Sequence, residues 1–284
     1  MTDRRRSYLV CGTQRSGSTL LCGLLSDTGV AGRPQEFFEA MRDTGLPPHP
    51  RDFLDGLGTP EARRLRDDPR PPLAPDYSRL EGLADYREHL ERTFALGTTP
   101  NGVFGAKLMY NQLAELHALA GGLPEFSGLD IDVLLEHLFG APGYLWIRRR
   151  DVVRQAVSMW KALQTRRWRA GDREGEPSEV ARYRFEAIDH LVRRFEEEER
   201  GWQSFFARHG IEPLVIAYED QLVADPAGTV HRALEWLGVS APPGWRAGQV
   251  TRRQSNAESD DWVAAYHRDR AARPSPRTVA SSTP

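Results

Sequence analysis

Lysine and cysteine are scarce in this 284-residue chain, which carries 36 Arg but only 2 Lys, Lys107 and Lys161, and only 2 Cys. Two cysteines exclude a disulfide framework, and Cys11 and Cys22 both fall in apolar segments where buried thiols are expected. No apolar run approaches the roughly 18 residues that a bilayer span requires. The basic start MTDRRRS leads straight into strand-like YLVCGT without a separate apolar signal segment, so cytoplasmic residence with no membrane span is expected. The formal net charge is only −2, so no broad nucleic-acid surface is expected despite the arginines. So uniform a replacement of lysine by arginine reflects genome composition. Only arginines in a defined local setting therefore carry a functional argument.

What the chain does contain is apolar strands alternating with helical patterns. Residues 7–13 (SYLVCGT) read as a short buried strand, followed by a Gly/Ser turn and then a helix with Leu20, Leu21, Leu24 and Leu25 on its apolar side. Residues 33–78 are polar, rich in proline and without clear periodicity, a length that within a compact domain suits a lid or substrate loop. Residues 79–96 read as a helix, 103–108 (VFGAKL) as a strand, about 111–120 as a helix and LDIDVLLEHLF as another. A strong strand, YLWIRR at 144–149, leads into a helix capped by Asp151. Residues 179–209 read as one long helix, 213–218 as a strand, and DPAGTVHRALEWLGV as a helix closed by Gly238. Residues 1–270 are expected to form a single domain and 271–284 a disordered tail. This alternation predicts a three-layer α/β/α fold with a central, mainly parallel sheet. In such sheets ligands bind beyond the carboxyl ends of the strands.

Two strand exits carry candidate chemistry. Residues 12–19, G-T-Q-R-S-G-S-T, have the spacing of a phosphate-binding P-loop, with Gly12, Gly17 and Thr19 in place but Ser18 where the lysine belongs. Without that lysine, nucleotide triphosphate hydrolysis is not expected. Amides at a helix N-terminus, the hydroxyls of Ser16, Ser18 and Thr19, and the Arg15 guanidinium still suit a phosphate or sulfate. An ordinary serine-rich turn is the plainer alternative. The second exit places Arg148, Arg149 and Arg150 at a strand end, with Asp151, Arg154 and Ser158 on one face of the next helix. It reads either as a solvated basic run or as a second anion position, which together with the first fits a ligand carrying two separated phosphates.

Several longer motifs in one order, YLVCGTQRSGSTLLCGLL, TGVAGRPQEFF, TPNGVFGAKLMYNQ, RRDVVRQAVSMWKALQT and QSNAESDDWVAAYHRD, resemble the Stf0-type sulfotransferases over residues 7 to about 270. YEDQLVADP is similar to a strand-to-helix segment of the wider sulfotransferase superfamily. The resemblance implies a sulfotransferase-like P-loop fold and the donor 3′-phosphoadenosine-5′-phosphosulfate (PAPS), with no metal. Carried over residue by residue, it places Arg15, Ser16, Gly17, Ser18 and Thr19 around the 5′-phosphosulfate. Arg149 and Ser158 fall at the 3′-phosphate; Arg150 stands where the relative has proline, which leaves a share in that role open to it, and Arg252, Arg253 and Gln254 close over the nucleotide.

The resemblance also makes Glu36, in GRPQEFF, the general base, and Arg15 a stabiliser of transferring charge. A lone loop glutamate is ordinarily a solvated charge, but a carboxylate beside aromatic rings such as Phe37 and Phe38 can have its pKa raised to a useful value. The acceptor set is Gln14, Arg33, Gln35, Glu36, Glu39, Pro48 and Phe53. The implied acceptor is a carbohydrate hydroxyl: the 2-position of trehalose, or a related glycoside or glycolipid. Arg33 and Phe53 stand where the resembled carbohydrate enzyme carries glutamate and tryptophan. Lys107 either faces the same cleft or snorkels to the surface. A homodimer is implied, to which Trp160, Trp168 and Trp202 contribute if they are not core. Two other classes stay open: an NTP-dependent small-molecule kinase and a non-catalytic nucleotide-binding protein.

Overall fold

Short runs rich in β-branched, aromatic and aliphatic residues make the strands. The computed structural model describes residues 6–39, 53–67, 86–168, 180–248 and 257–273. In it, β1 (Arg6–Gly12), β2 (Val103–Met109), β3 (Gly143–Arg148) and β4 (Leu214–Ala217) form a parallel sheet in the order β2-β1-β3-β4. Val10 lies opposite Lys107, Cys11 opposite Trp146, and Ile147 opposite Ile216. The helices are α1 (Ser18–Asp27), α2 (Pro60–Arg66), α3 (Tyr86–Gly97), α4 (Tyr110–Gly121), α5 (Ile131–Phe139), α6 (Val152–Thr165), α7 (Phe185–Arg208), α8 (Pro226–Trp236) and α9 (Ala257–Ala272).

Successive strand residues point to opposite faces, and here both faces are covered. Leu9, Cys11, Phe104, Leu108 and Trp146 pack beneath α3, α4, α5 and α7. Tyr8, Val10, Leu145, Ile147 and Ile216 pack beneath α1 and α8. This is the expected α/β architecture, a parallel sheet flanked by helices. A third apolar cluster stands off the sheet, where Trp160 of α6 and Ile188, Leu191 and Phe195 of α7 meet residues of α2 and α9. Cys11 and Cys22 are both free and buried, and burial pushes Cys22 up to about 12. These are packing thiols, as expected. Trp160 and Trp202 are core residues with no exposed surface.

The connection from β1 runs to one neighbour, β2, and the chain then crosses to the other neighbour, β3. The carboxyl ends of β1 and β3 therefore flank a point where the strand order reverses, which is where open α/β sheets hold their ligands. Three elements differ from expectation. The long helix begins at Phe185 rather than at 179, with no helix over 180–184. Helix α2 lies within the region read as aperiodic, started by Thr59, whose side chain accepts from the Ala62 amide, and by Pro60 in the first turn. Helix α9 reaches Ala272, past the expected start of the tail at Ala271. Its apolar contacts are few, Trp262 and Tyr266 above all, so it has little periodic signature. Much of its docking is polar, through Lys161–Glu258, Arg154–Asp260 and Arg270–Asp189 pairs.

Candidate active site

The loop after β1 is shaped by close backbone approach and by two residues in left-handed conformation, Arg15 (φ 62°) and Gly17 (φ 96°). At Gly12 a Cβ would stand 3.0 Å from Ile147 of the neighbouring strand, and at Gly17 it would stand 2.2 Å from the Tyr218 ring. Glycine is needed at Gly17 on both counts, since an L side chain there meets strain and collision together. Gly17 also opens α1, and no side chain caps that helix start, the condition in which first-turn amides accept an anion. Ser16 and Ser18 are buried and Thr19 is exposed. The Ser16 hydroxyl has no hydrogen-bond partner among the described residues. The floor of the loop is held from elsewhere. Trp202 donates its indole N–H to the Gly12 carbonyl at 2.8 Å, and Gln155 donates to the Thr13 hydroxyl and the Gln14 carbonyl at 2.7 and 2.6 Å.

Of the three arginines that end β3, one turns to this loop. Arg149 donates from Nη1 to the Arg15 carbonyl at 2.8 Å, and its guanidinium lies 4.9 Å over the Tyr218 ring, with Glu219 at 4.0 Å. Burial draws its pKa below the usual arginine value, and its Nε, the atom nearest Glu219, makes no hydrogen bond among the described residues. Arg148 instead stacks on Trp146 at 4.4 Å and pairs with Glu199. Arg150 is 74% exposed and pairs with Asp220. Arg15 reaches across to donate from Nε to the Ser158 hydroxyl at 3.0 Å and from Nη1 to the Trp168 carbonyl at 2.6 Å. The two strand exits, far apart in the sequence, thus touch through Arg15 and Ser158. Asp151 caps α6 by accepting from the Arg154 amide at 2.8 Å, and Arg154 pairs with Asp151 and Asp260.

Glu36 is brought to the loop by β2. The Lys107 amide donates to the Gln35 carbonyl at 2.8 Å, which aligns the 33–36 segment along the edge of that strand. The Lys107 ammonium then forms an ion pair with Glu36 and lies 3.4 Å from the Thr19 hydroxyl. Both partners are mostly buried, their side chains 9% and 12% exposed. On its other oxygen Glu36 accepts from Gln112 Nε2 at 2.7 Å, while Gln112 Oε1 accepts from the Met109 amide and so fixes the amide's direction. Phe37 and Phe38 do not surround the carboxylate. They are buried in the core, Phe38 edge-on to Phe139. The environment of Glu36 is a cation and an amide rather than the expected aromatic faces, because the chain turns its rings inward immediately after it. Lys107 is buried beside Glu36 and does not snorkel to the surface.

The remaining residues expected at the acceptor divide. Gln14 donates to Asn111 at 2.8 Å, and its Oε1 is buried without a partner among the described residues. Arg33 has an exposed side chain and its amide donates to the Gly97 carbonyl at 2.8 Å. Phe53 is buried against Phe195, with the Arg194 guanidinium 4.6 Å over its ring. Glu39 closes a short 3₁₀ turn, Phe37–Glu39. Pro48, Arg252, Arg253 and Gln254 lie outside the described residues. Among the described residues, no group of three His, Cys, Asp or Glu is placed to hold a metal ion.

Sequence reasoning missed Gln155, Gln112, Tyr218 and Glu219. Glu219 accepts from the Arg150 and Asp151 amides at 3.1 and 3.2 Å, and so holds the start of α6 against the end of β4. The one local signal was Gln112, three residues after Met109 at a strand-to-helix junction, which is capping spacing. The other three act through contacts from distant parts of the chain.

Comparison with known proteins identifies the family of the chain. The family described as Stf0 sulphotransferase matches residues 7–269. The chain is 39% identical over 267 residues to a trehalose 2-sulfotransferase of Mycobacterium tuberculosis (strain ATCC 35801 / TMC 107 / Erdman), covering 94% of this chain and 96% of that protein. It is 38% identical over 274 residues to a trehalose 2-sulfotransferase of Mycolicibacterium smegmatis (strain ATCC 700084 / mc(2)155), covering 95% and 97%. Among solved structures, the sulfotransferase domain of the Synechococcus PCC 7002 olefin synthase aligns over 97% of this chain and 98% of that one, with a TM-score of 0.41 and 15% identity.

Proposed function

The chain belongs to the Stf0 sulphotransferase family, and from that premise we propose that it moves the sulfuryl group of PAPS to a hydroxyl of trehalose, at the 2-position, or of a related glycoside or glycolipid. The observation that carries this reading is the Glu36–Lys107–Thr19 chain, which ties a carboxylate to the hydroxyl of an anion-binding loop. A proton acceptor and the seat of a transferable anion are thereby set side by side.

The residues fit the donor. A buried Ser16 hydroxyl and an Arg149 Nε, neither hydrogen-bonded among the described residues, are groups that bound phosphate or sulfate oxygens would satisfy. The loop is P-loop-like, with Arg15, Ser16, Gly17, Ser18 and Thr19 toward the 5′-phosphosulfate, and Arg149 and Ser158 toward the 3′-phosphate. Arg252, Arg253 and Gln254 remain proposed nucleotide residues. PAPS supplies the chemistry of an activated sulfuryl group attached to a phosphate leaving group. Glu36 takes the proton of the attacking hydroxyl. Gln112 and Lys107 hold that carboxylate in place, and Lys107 also brings positive charge to Thr19. Arg15, with the amides at the start of α1, faces the oxygens on which charge grows. Gln14, Arg33, Gln35, Glu39, Pro48 and Phe53 orient the acceptor. One domain over residues 1–270, cytoplasmic residence and a homodimer complete the proposal.

Transfer of labelled sulfate from PAPS to a sugar panel tests it, comparing the parent with Glu36→Gln. Turnover should drop by about 100-fold or more, the contribution typical of a general base, while adenosine 3′,5′-bisphosphate still binds. Unchanged turnover removes Glu36 from the step, and absence of transfer to any sugar by the parent refutes the acceptor class.

A further inference from the structure

One buried carboxylate has no part in the steps above. Glu198 lies on α7 with its side chain 8% exposed. One oxygen accepts from Arg194 Nε at 3.2 Å, one helical turn earlier, and the other is buried with no hydrogen-bond partner among the described residues. Interior polar atoms are nearly always paired, so an orphaned carboxylate oxygen is a group that a ligand can satisfy.

The course of α7 says which ligand. At Trp202 the helix touches the anion loop, through the bond to the Gly12 carbonyl. At Gly201 it packs so closely on Tyr110 that a Cβ would stand 2.1 Å from that ring. The residue after Tyr110, Asn111, holds the side chain of Gln14. One turn back from Trp202 comes Glu198, and one turn further comes Arg194, stacked over Phe53. His190, another turn along, meets the Phe53 carbonyl at 3.1 Å. The Glu198–Arg194 pair therefore occupies the stretch of α7 between Gln14 and Phe53, two residues of the proposed acceptor set, and on the helix that props the loop. Burial also pushes Glu198 up to about 7.

We propose that Glu198 is an acceptor-binding residue, its unpaired oxygen taking a hydrogen bond from a non-reacting hydroxyl of the sugar while Arg194 steadies the carboxylate. This inference rests on sulfuryl transfer to a carbohydrate and adds a specificity contact to it. The hydroxyl donates, the carboxylate accepts, and no bond is broken.

The test uses the full chain, PAPS, trehalose and its monodeoxy analogues. In the parent, one deoxy analogue lacking a hydroxyl that is not sulfated should lose about 10- to 100-fold in kcat/KM, the worth of one hydrogen bond to a charged group. In Glu198→Gln that same penalty should shrink several-fold, with acceptor KM raised and bisphosphate affinity unchanged. A merely structural Glu198 would leave the pattern of deoxy penalties as in the parent, and that result overturns the proposal. Should Glu198→Gln fail to fold, Arg194→Met releases the carboxylate from its cation and must alter the penalty at the same hydroxyl. An unaltered pattern there also overturns it. Sulfation of no sugar by the parent defeats the acceptor reading itself, an outcome separate from an active parent whose variants keep its hydroxyl preferences.

Discussion

Adding one methyl group at Gly17 perturbs the anion loop at its tightest point. The backbone there has φ 96°, and the new Cβ would lie 2.2 and 2.6 Å from two carbons of the Tyr218 ring. Left-handed backbone costs an L residue about 1–2 kcal/mol, and forcing an extra carbon into packed surroundings costs about 1–3 kcal/mol more. Gly17→Ala should thus destabilise the fold by about 2–5 kcal/mol, a fall in Tm of about 5–15 °C for a domain of this size. Relief by moving Tyr218 would shift the ring on which Arg149 rests at 4.9 Å, and with it the contact of Arg149 to the Arg15 carbonyl. Bisphosphate affinity should therefore fall together with stability. Thermal unfolding and calorimetric titration of adenosine 3′,5′-bisphosphate measure both. Tyr218→Ala supplies the decisive control. In that background the collision is gone and only the backbone cost of about 1–2 kcal/mol should remain, so the pair should couple by about 1–3 kcal/mol. Equal costs of Gly17→Ala in both backgrounds would refute the steric reasoning.

Three further outcomes follow from the same geometry. Arg149→Met should weaken bisphosphate binding by about 10- to 100-fold, whereas Arg150→Met, removing a 74% exposed side chain, should leave it within about twofold; equal effects would mean the wrong arginine has been assigned. Arg33→Glu should move acceptor preference toward trehalose in a competition assay, and an unchanged product ratio removes Arg33 from acceptor choice. Glu198, raised to about 7 by burial, keeps a proton in the folded chain that the unfolded chain releases near the ordinary value of 4.5. Its contribution to stability is therefore present below about 4.5 and declines as pH climbs to about 7. Denaturant titrations across that range should show Glu198→Gln gaining on the parent as pH rises, and parallel curves would contradict the assignment.

The loop, the strands and most of the helices were legible in the sequence because their signals are local. An apolar run ending in Gly12, a glycine at position 17, an aspartate before Val152 and a proline at position 226 act within a few residues of themselves. The sequence pattern predicts the long helix six residues before its start because the charges ahead of Phe185 do not distinguish a helix from the chain that leads into it. Helix α9 escaped notice because ion pairs, which leave little trace in apolar periodicity, do much of its docking.

Which of three adjacent arginines serves the loop was decided only in the folded chain. Arg148, Arg149 and Arg150 are chemically alike, and Trp146 within β3 and Tyr218 and Asp220 after β4 sort them. The same holds for Glu36, whose partners Lys107 and Gln112 come from the next strand and helix, and for Arg15 and Ser158, 143 residues apart in the chain. Backbone conformation is set by neighbours in sequence. The direction and pairing of a charged side chain are set by whatever the sheet brings within a few ångströms, and that depends on strand order.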